Sequence, residues 1–308
     1  MRKPVRVGTR NSPLAMIQTK MVVEALAKET PDCQFDLVLI GTKGDRDKVT
    51  PLSQLGTQGI FTDELGLAIL ENQIDFAVHS LKDMPLKRRE DLIVASLPKR
   101  EDPFDSLLMR KAKTIDELPI GAIVGTSSLR REVELLRLRP DLTPVSIRGN
   151  IDQRLEQLAQ GEFDAIILAN AGLNRLGWQN QQHFSMISFN QESFMPSAGQ
   201  GALALECRKN DTVTQALLKS IADPNTVLST SIEQIVMQEI GELSQDQTCG
   251  AYAMVTEEEK ILLTVMFADP ANSVYLRKVL TGDDLTIGKT AAMELIQEWQ
   301  KKVLFYSL

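Results

Sequence analysis

The sequence predicts an α/β protein built as two similar lobes followed by a smaller α+β domain, and three observations carry that prediction. Short strand-like runs alternate with helix-like runs along the N-terminal part of the chain, the order that builds a largely parallel sheet. The order then restarts. Ala122-Ile123-Val124-Gly125-Thr126-Ser127-Ser128-Leu129 repeats the strand, Gly-Thr, hydroxyl cap and helix first met at Val7-Gly8-Thr9-Arg10-Asn11-Ser12. From Pro224 the chain changes character: one long helix, three grouped strands and a closing helix belong to a separate α+β domain.

Taken in order, a strand ends at Arg6-Val7-Gly8, and Ser12 as N-cap with Pro13 at the first helical position starts a helix. Strands follow at residues 35–40, 76–79 and 92–97, with a helix over 62–72. Residues 41–59 carry Gly, Asp, Lys, Thr and Gln without periodicity, and a loop of that length inside a compact domain reads as a candidate lid. Pro98-Lys99-Arg100-Glu101-Asp102-Pro103 fits a hinge or boundary. Beyond it, strands at 144–147 and 163–168 alternate with helices at 151–160 and 171–176. A second crossing falls at Met195-Pro196-Ser197-Ala198-Gly199-Gln200-Gly201, before the apolar run 202–205. The last domain has a helix at 226–243, strands at 251–256, 261–267 and 274–280, and an amphipathic helix at 285–304.

Composition narrows the function. Of 308 residues, 34 are basic and 41 acidic, a net charge of −7, which argues against a protein that coats nucleic acid through bulk charge. Two histidines and three cysteines, with no C-x-x-C and no H-E-x-x-H, do not make the usual zinc sites, so no metal is expected. Sparse, odd-numbered cysteines read as a reduced compartment. No run reaches the length of a membrane span, and the N-terminus has no signal-peptide core, so a cytoplasmic enzyme or binding protein is expected.

In an acidic chain the placement of arginines is informative. Arg10 precedes a helix, Arg130 and Arg131 lie in the first turns of another, Arg148 and Arg154 flank the Gly149-Asn150 turn, and Arg175 lies near a helix end. Several follow strands, where open α/β sheets place ligands, and helix N-termini together with arginine forks suit carboxylates and phosphates. The ligand implied is a small polyanion. Each arginine alone reads as a surface residue; six at equivalent places read as a site. Ser80-Leu81-Lys82-Asp83-Met84-Pro85 also follows a strand. Asp83 could stay ionised and stabilise a developing cation, move protons, or simply end a strand in an ion pair. His79 reads as a buried strand histidine, and Trp178 and Trp299 as packing residues. G-x-x-x-x-G-K-[ST] and G-x-G-x-x-G are absent, which sets nucleotides aside.

Seven ordered motifs together resemble the porphobilinogen deaminase, or hydroxymethylbilane synthase, family. They are Gly8-Thr9-Arg10-Asn11-Ser12-Pro13-Leu14-Ala15, Thr42-Lys43-Gly44-Asp45, Phe76 to Pro85, Val124-Gly125-Thr126-Ser127-Ser128-Leu129-Arg130-Arg131, Ile147-Arg148-Gly149-Asn150, Phe163 to Ala169 and Ala198-Gly199-Gln200-Gly201-Ala202. The resemblance runs from about residue 4 to 210 and weakens in the last third. It implies two lobes like those of periplasmic binding proteins with a cleft between them: 1–98 with 200–222, then 103–197. A small α+β domain, 226–308, would carry the cofactor. It also implies a monomer that deaminates four porphobilinogens and joins them head to tail into a linear tetrapyrrole, as in haem and other porphyrin biosynthesis, from a dipyrromethane primer held by a cysteine thioether. By resemblance Asp83 is catalytic, Arg10, Ser12, Arg148, Arg154 and Arg175 bind substrate, and Lys82, Thr126, Ser128, Arg130 and Arg131 hold the primer. No nucleic acid or membrane partner is implied.

Two departures stand out. Family lysines in the candidate lid are replaced by Gln54 and Gln58, from which we expect a higher KM or slower elongation. The family's third domain reads Gly-Gly-Cys-x-x-Pro before a strand; here the stretch is Gly241-Glu242-Leu243-Ser244-Gln245-Asp246-Gln247-Thr248-Cys249-Gly250-Ala251-Tyr252. Cys249 is then either the anchor of a shortened loop or a small apolar residue entering a strand. Cys33 and Cys207 are poor substitutes. The alternative to a primed enzyme is a binding protein of the same fold that kept the anion site and lost the covalent primer.

Overall fold

The computed structural model describes residues 3–42, 62–178 and 183–306. Lys43, Gly44, Asp45, Gln54 and Gln58 lie outside the described residues, as does nearly all of the candidate lid. The described elements begin with β1 (Val5–Thr9), α1 (Pro13–Glu29), β2 (Phe35–Leu39), α2 (Asp63–Leu70), β3 (Phe76–Ser80) and β4 (Leu92–Ser96). Next come β5 (Asp105–Met109), β6 (Ile123–Gly125), α3 (Leu129–Leu138), β7 (Thr143–Val145), α4 (Ile151–Gln160), β8 (Ala165–Ala169), α5 (Asn170–Arg175) and β9 (Ser185–Ser188). Then follow β10 (Leu203–Arg208), α6 (Thr212–Lys219), α7 (Pro224–Ile240), β11 (Thr248–Val255), β12 (Ile261–Asp269), β13 (Val274–Gly282) and α8 (Thr286–Tyr306). The chain divides into two compact units, residues 1–101 with 201–227, and 102–200 with 228–308.

The first unit holds a five-stranded sheet in the order β2-β1-β3-β10-β4. β1 pairs in parallel with β2 and β3, whereas β10 runs antiparallel to both β3 and β4. Strand alternation sends Val7, Phe76, Val78, Leu205 and Cys207 to one face, against Val22 and Leu26 of α1 and Leu218 of α6. Ala77 lies on the other face, against Leu65, Ala68 and Ile69 of α2. Gly8 is required where strand and helix approach, because a Cβ there would stand 2.2 Å from Ile74 Cδ1.

The second unit repeats the plan in its first sheet, β7-β6-β8-β5-β9. Again three strands are parallel and the last two connections antiparallel. The expectation of two lobes built alike holds, and each sheet is largely parallel, four of its five strands running one way, with a single reversed strand, β10 in the first and β5 in the second, that makes both antiparallel pairings. Both faces are buried: Leu107, Val124, Leu135 and Ile167 form one core, Leu108, Leu155, Ile166 and Leu173 the other.

The smaller sheet, β11-β12-β13, is a fully antiparallel meander in the same unit. One face is covered by α7 and α8, with Ile232, Val236, Ala291, Ala292 and Leu295 packed on Ala251, Ala253, Leu263 and Val265. The other face carries Met266 and Ala268, packed on Met195 and Val133. The α/β class with a small C-terminal sheet domain is thus the architecture observed.

Candidate active site

In the first unit, Arg10 and Ser12 leave the C-terminal end of β1. The turn between them and the sheet is held by two buried threonines: Thr19 Oγ1 donates to Thr9 Oγ1 at 2.8 Å, and Thr9 Oγ1 donates to the Ala15 carbonyl at 3.2 Å. Ser12 caps α1, its Oγ accepting the Ala15 N–H at 3.2 Å, with Pro13 in the first turn where a missing N–H is harmless. One 3-10 turn, Leu81–Asp83, follows β3. Leu81 and Met84 are buried anchors, and the Leu81 N–H bonds the Ala202 carbonyl at 3.0 Å. Lys82 and Asp83 are exposed on that pinned turn. Because β1 and β3 are parallel neighbours, Arg10, Ser12, Lys82 and Asp83 share one edge of the sheet, and Gln18 of α1 donates to Ser80 at 3.3 Å to tie the strand ends. His79 is buried and pairs with Glu206 at 3.1 Å, as befits a strand histidine.

The equivalent edge in the second unit carries the remaining arginines. After β6, Thr126 is buried with its N–H on the Val145 carbonyl at 2.9 Å, and Ser128 caps α3 by accepting the Arg131 N–H at 3.5 Å. Arg130 and Arg131 both reach Asp105 of β5, which is 0% exposed: Arg130 Nη2 donates to Oδ2 at 2.9 Å and Arg131 Nη2 to Oδ1 at 2.7 Å. Arg130 also donates to the Met195 carbonyl, and Arg131 to that of Ile167 at 3.1 Å. Glu134, also buried on α3, adds its charge near Arg130. Burial lowers the Arg130 pKa, and Asp105 opposes that shift.

After β7 the chain makes the turn Ile147-Arg148-Gly149-Asn150. Gly149 has φ +109°, and a Cβ there would sit 2.9 Å from Gln153 Cβ. Gln153 completes a capping box: Asn150 Oδ1 accepts its N–H at 2.9 Å and its Oε1 accepts the Asn150 N–H at 3.0 Å. This box fixes Arg148 and Arg154 about the start of α4, with Arg154 Nε donating to the Gly149 carbonyl at 2.9 Å. Burial first, and then the charges of Arg131 and Arg148, push the Arg154 guanidinium down to about 10. Like charges gathered partly out of water are costly alone, and a bound anion would relieve that cost. Arg175, half-buried, ends α5, which starts where β8 stops.

Two residues of this edge escaped the sequence reading. Ser127 Oγ donates to the Ile147 carbonyl at 2.6 Å, accepts the Ile147 N–H at 3.0 Å and lies 2.9 Å from Ser146 Oγ, clamping the β6 and β7 turns together. The Gly-Thr-Ser-Ser motif contains it, but nothing in the motif says which serine caps and which clamps. Asp105 carried no signal at all, being an acid inside a short strand.

The arginine cluster fits a dipyrromethane, whose acetates and propionates are carboxylates. Cys249 does not fit a thioether to it. Its side chain is 6% exposed in the core between β11 and the helices α7 and α8, and burial pushes its thiol up to about 12.

Comparison with known proteins gives the family. Residues 5–216 match the family model "Porphobilinogen deaminase, dipyromethane cofactor binding domain". The porphobilinogen deaminase of Brevibacillus brevis is 44% identical over 301 residues, 97% of this chain and 96% of that one. That of Bacillus subtilis is 38% identical over 305 residues, 99% and 96% of the two chains. Among solved structures, the Bordetella pertussis BvgS periplasmic VFT2 domain aligns with a TM-score of 0.42 at 15% identity, over 70% of this chain and 86% of that one. The family model and the near full-length identity to named relatives show that the chain belongs to the porphobilinogen deaminase family.

Proposed function

We propose that the chain is a hydroxymethylbilane synthase, a transferase that deaminates four porphobilinogens and joins them head to tail. In each condensation the aminomethyl C–N bond breaks and ammonia leaves with the electron pair. The methylene carbon so exposed bonds to the unsubstituted α carbon of the pyrrole at the growing end, which loses a proton; after four such steps water supplies hydroxyl to the methylene of the first ring and a proton to the priming pyrrole as the bond between them breaks, releasing the linear 1-hydroxymethylbilane. The family's cofactor, dipyrromethane, supplies the pyrrole from which the chain grows.

The like-charged cluster of Arg131, Arg148 and Arg154 is the observation that supports this reading most, because porphobilinogen brings an acetate and a propionate and the product carries many. Arg10 and Ser12, with Arg148, Arg154 and Arg175, are assigned to substrate carboxylates; Lys82, Thr126, Ser128, Arg130 and Arg131 to those of the dipyrromethane. Asp83 is assigned the reaction itself. Its carboxylate, held on a turn anchored by Leu81 and Met84, accepts pyrrole N–H groups and stabilises the azafulvenium-like cation formed as ammonia leaves. A monomer acting in the cytoplasm is part of the same proposal; among the described residues no helix is long and apolar enough to cross a membrane.

The test is ammonia release from porphobilinogen by the purified protein beside Asp83→Asn. Loss of that charge is expected to slow turnover by about 100-fold or more, the usual scale for an electrostatic group at the reacting centre. Equal rates would remove Asp83 from the mechanism.

A further inference from the structure

We propose that this chain retains its dipyrromethane by charge alone, in the arginine cluster of the second unit, with no thioether to any of its cysteines. The inference rests on the family reading above and departs from the family on the anchor.

The alternation of β11 decides how Cys249 points. Cys249, Ala251 and Ala253 lie on the face covered by Ile232 and Val236 of α7 and by Ala291 of α8. Gly250 and Tyr252 take the opposite face: a Cβ on Gly250 would meet Met195 Cγ at 2.7 Å and the Pro196 carbonyl at 2.8 Å, and Tyr252 packs with Met195 and Met266. The register is firm, with Cys249 opposite Phe267 and Ala251 opposite Val265 on β12. Turning the thiol outward would require a one-residue slip that also exposes Ala251 and Ala253 and drives side chains into Met195 and Pro196. Glu233, buried on α7, resists that slip by accepting the Ala253 N–H at 2.9 Å and the Gly199 N–H at 2.7 Å.

Reactivity points the same way. Thioether formation uses the thiolate, and a thiol pushed up to about 12 by burial, with no cation among the causes of its shift, is about one part in 10⁵ thiolate at pH 7. Cys207 is equally enclosed in the first unit, its thiol pushed up to about 11 by burial first and then by the Asp211 charge. Cys33 precedes β2, at the end of the sheet opposite the edge that carries Arg10 and Asp83.

The exposed turn that leads into β11 carries no thiol. Ser244 N–H donates to Gln247 Oε1 at 3.2 Å, Gln247 N–H to the Ser244 carbonyl at 3.1 Å, and Gln247 Nε2 to Asp269 Oδ2 at 3.1 Å. The C-terminal domain, 226–308, expected to carry the cofactor, thus presents a hydrogen-bonded polar turn where an anchor would stand. What the second unit offers a pyrrole pair is Arg130 and Arg131 at the start of α3, with the further positive charge of Arg148 and Arg154 beside Arg131. Retention of that kind is screened by salt, as a covalent bond is not.

The experiment is mass spectrometry of the full-length protein after incubation with porphobilinogen, measured denatured and native, with Cys249→Ala and Arg131→Gln beside it. We expect the denatured wild type and Cys249→Ala to show the bare chain mass. The native wild type is expected to carry a pyrrole adduct that is lost in Arg131→Gln and after a wash near 1 M salt. A covalent increment in the denatured wild type that is missing from Cys249→Ala overturns the proposal, as does the absence of pyrrole from the native protein. Porphobilinogen turnover by the same sample separates this from the family reading: turnover with a covalent adduct sinks only the proposal, whereas lack of turnover counts against the enzyme.

Discussion

Arg154 shows how a site is legible at the scale of one residue and where that legibility stops. Its position beside Gly149-Asn150 suggests an anion ligand in the sequence, but the strain it bears comes first from burial and then from Arg131 and Arg148, near which the Asn150–Gln153 capping box and the Ser127 clamp hold the turn. Because its folded pKa lies below its ordinary value, the charged form costs stability at every pH below about 10, and the cost is relieved only as pH rises through that value. Arg154→Gln is therefore expected to keep or raise Tm without ligand while raising the porphobilinogen KM by about tenfold, the trade expected of a binding residue that strains the apo state. Thermal melts and steady-state kinetics on the one variant check both halves. A lowered Tm with unchanged KM would make Arg154 a structural residue.

At the scale of elements, the helices and most strands were readable because their signals are local: Ser12-Pro13 starts α1, Asn150 caps α4, and three grouped strands announce the C-terminal sheet. β5, β9 and α6 were not. β5 reads Asp-Ser-Leu-Leu-Met and is buried at all five positions, so it shows no alternation. β9 is four residues with two serines, and α6 opens on Thr-Val-Thr, held by Asp211, which accepts the Thr214 N–H at 3.0 Å. The burial of Asp105 has a tertiary cause, the two arginines of α3 and Gln200, whose Nε2 donates to it at 2.9 Å. Removing one partner of such a group leaves buried charges uncompensated, so Asp105→Ala is expected to destabilise the protein by about 3–5 kcal/mol. Denaturant titration measures this, and a loss under about 1 kcal/mol would mean that the arginines find other partners.

For the whole molecule, acid is the condition to which the ion pairs point. Burial alone would raise Asp75, but hydrogen bonds from Arg6, with the charges of Arg6 and Arg208, outweigh it and leave the carboxyl below the usual range. Asp211 is likewise raised by burial and lowered further by Thr214 and Arg208. Both folded values lie below the unfolded one near about 3.9, so their contribution is complete above that pH and is lost as pH falls through the folded values. Tm is expected to hold level from about pH 5 to 8 and to drop below about pH 4, with a shallower drop in Arg6→Met. An equal drop in that variant would place the acid sensitivity elsewhere.

The family reading joins these scales, since the identity to named deaminases gives the reaction to which the arginine edge and the Asp83 turn are assigned. Its most direct test is the product: purified protein and porphobilinogen alone, followed by mass analysis of the pyrrole products and assay of ammonia. The account predicts a linear tetrapyrrole carrying a hydroxymethyl group, with one ammonia released for each porphobilinogen consumed. Porphobilinogen bound but recovered intact, with no ammonia formed, would contradict it.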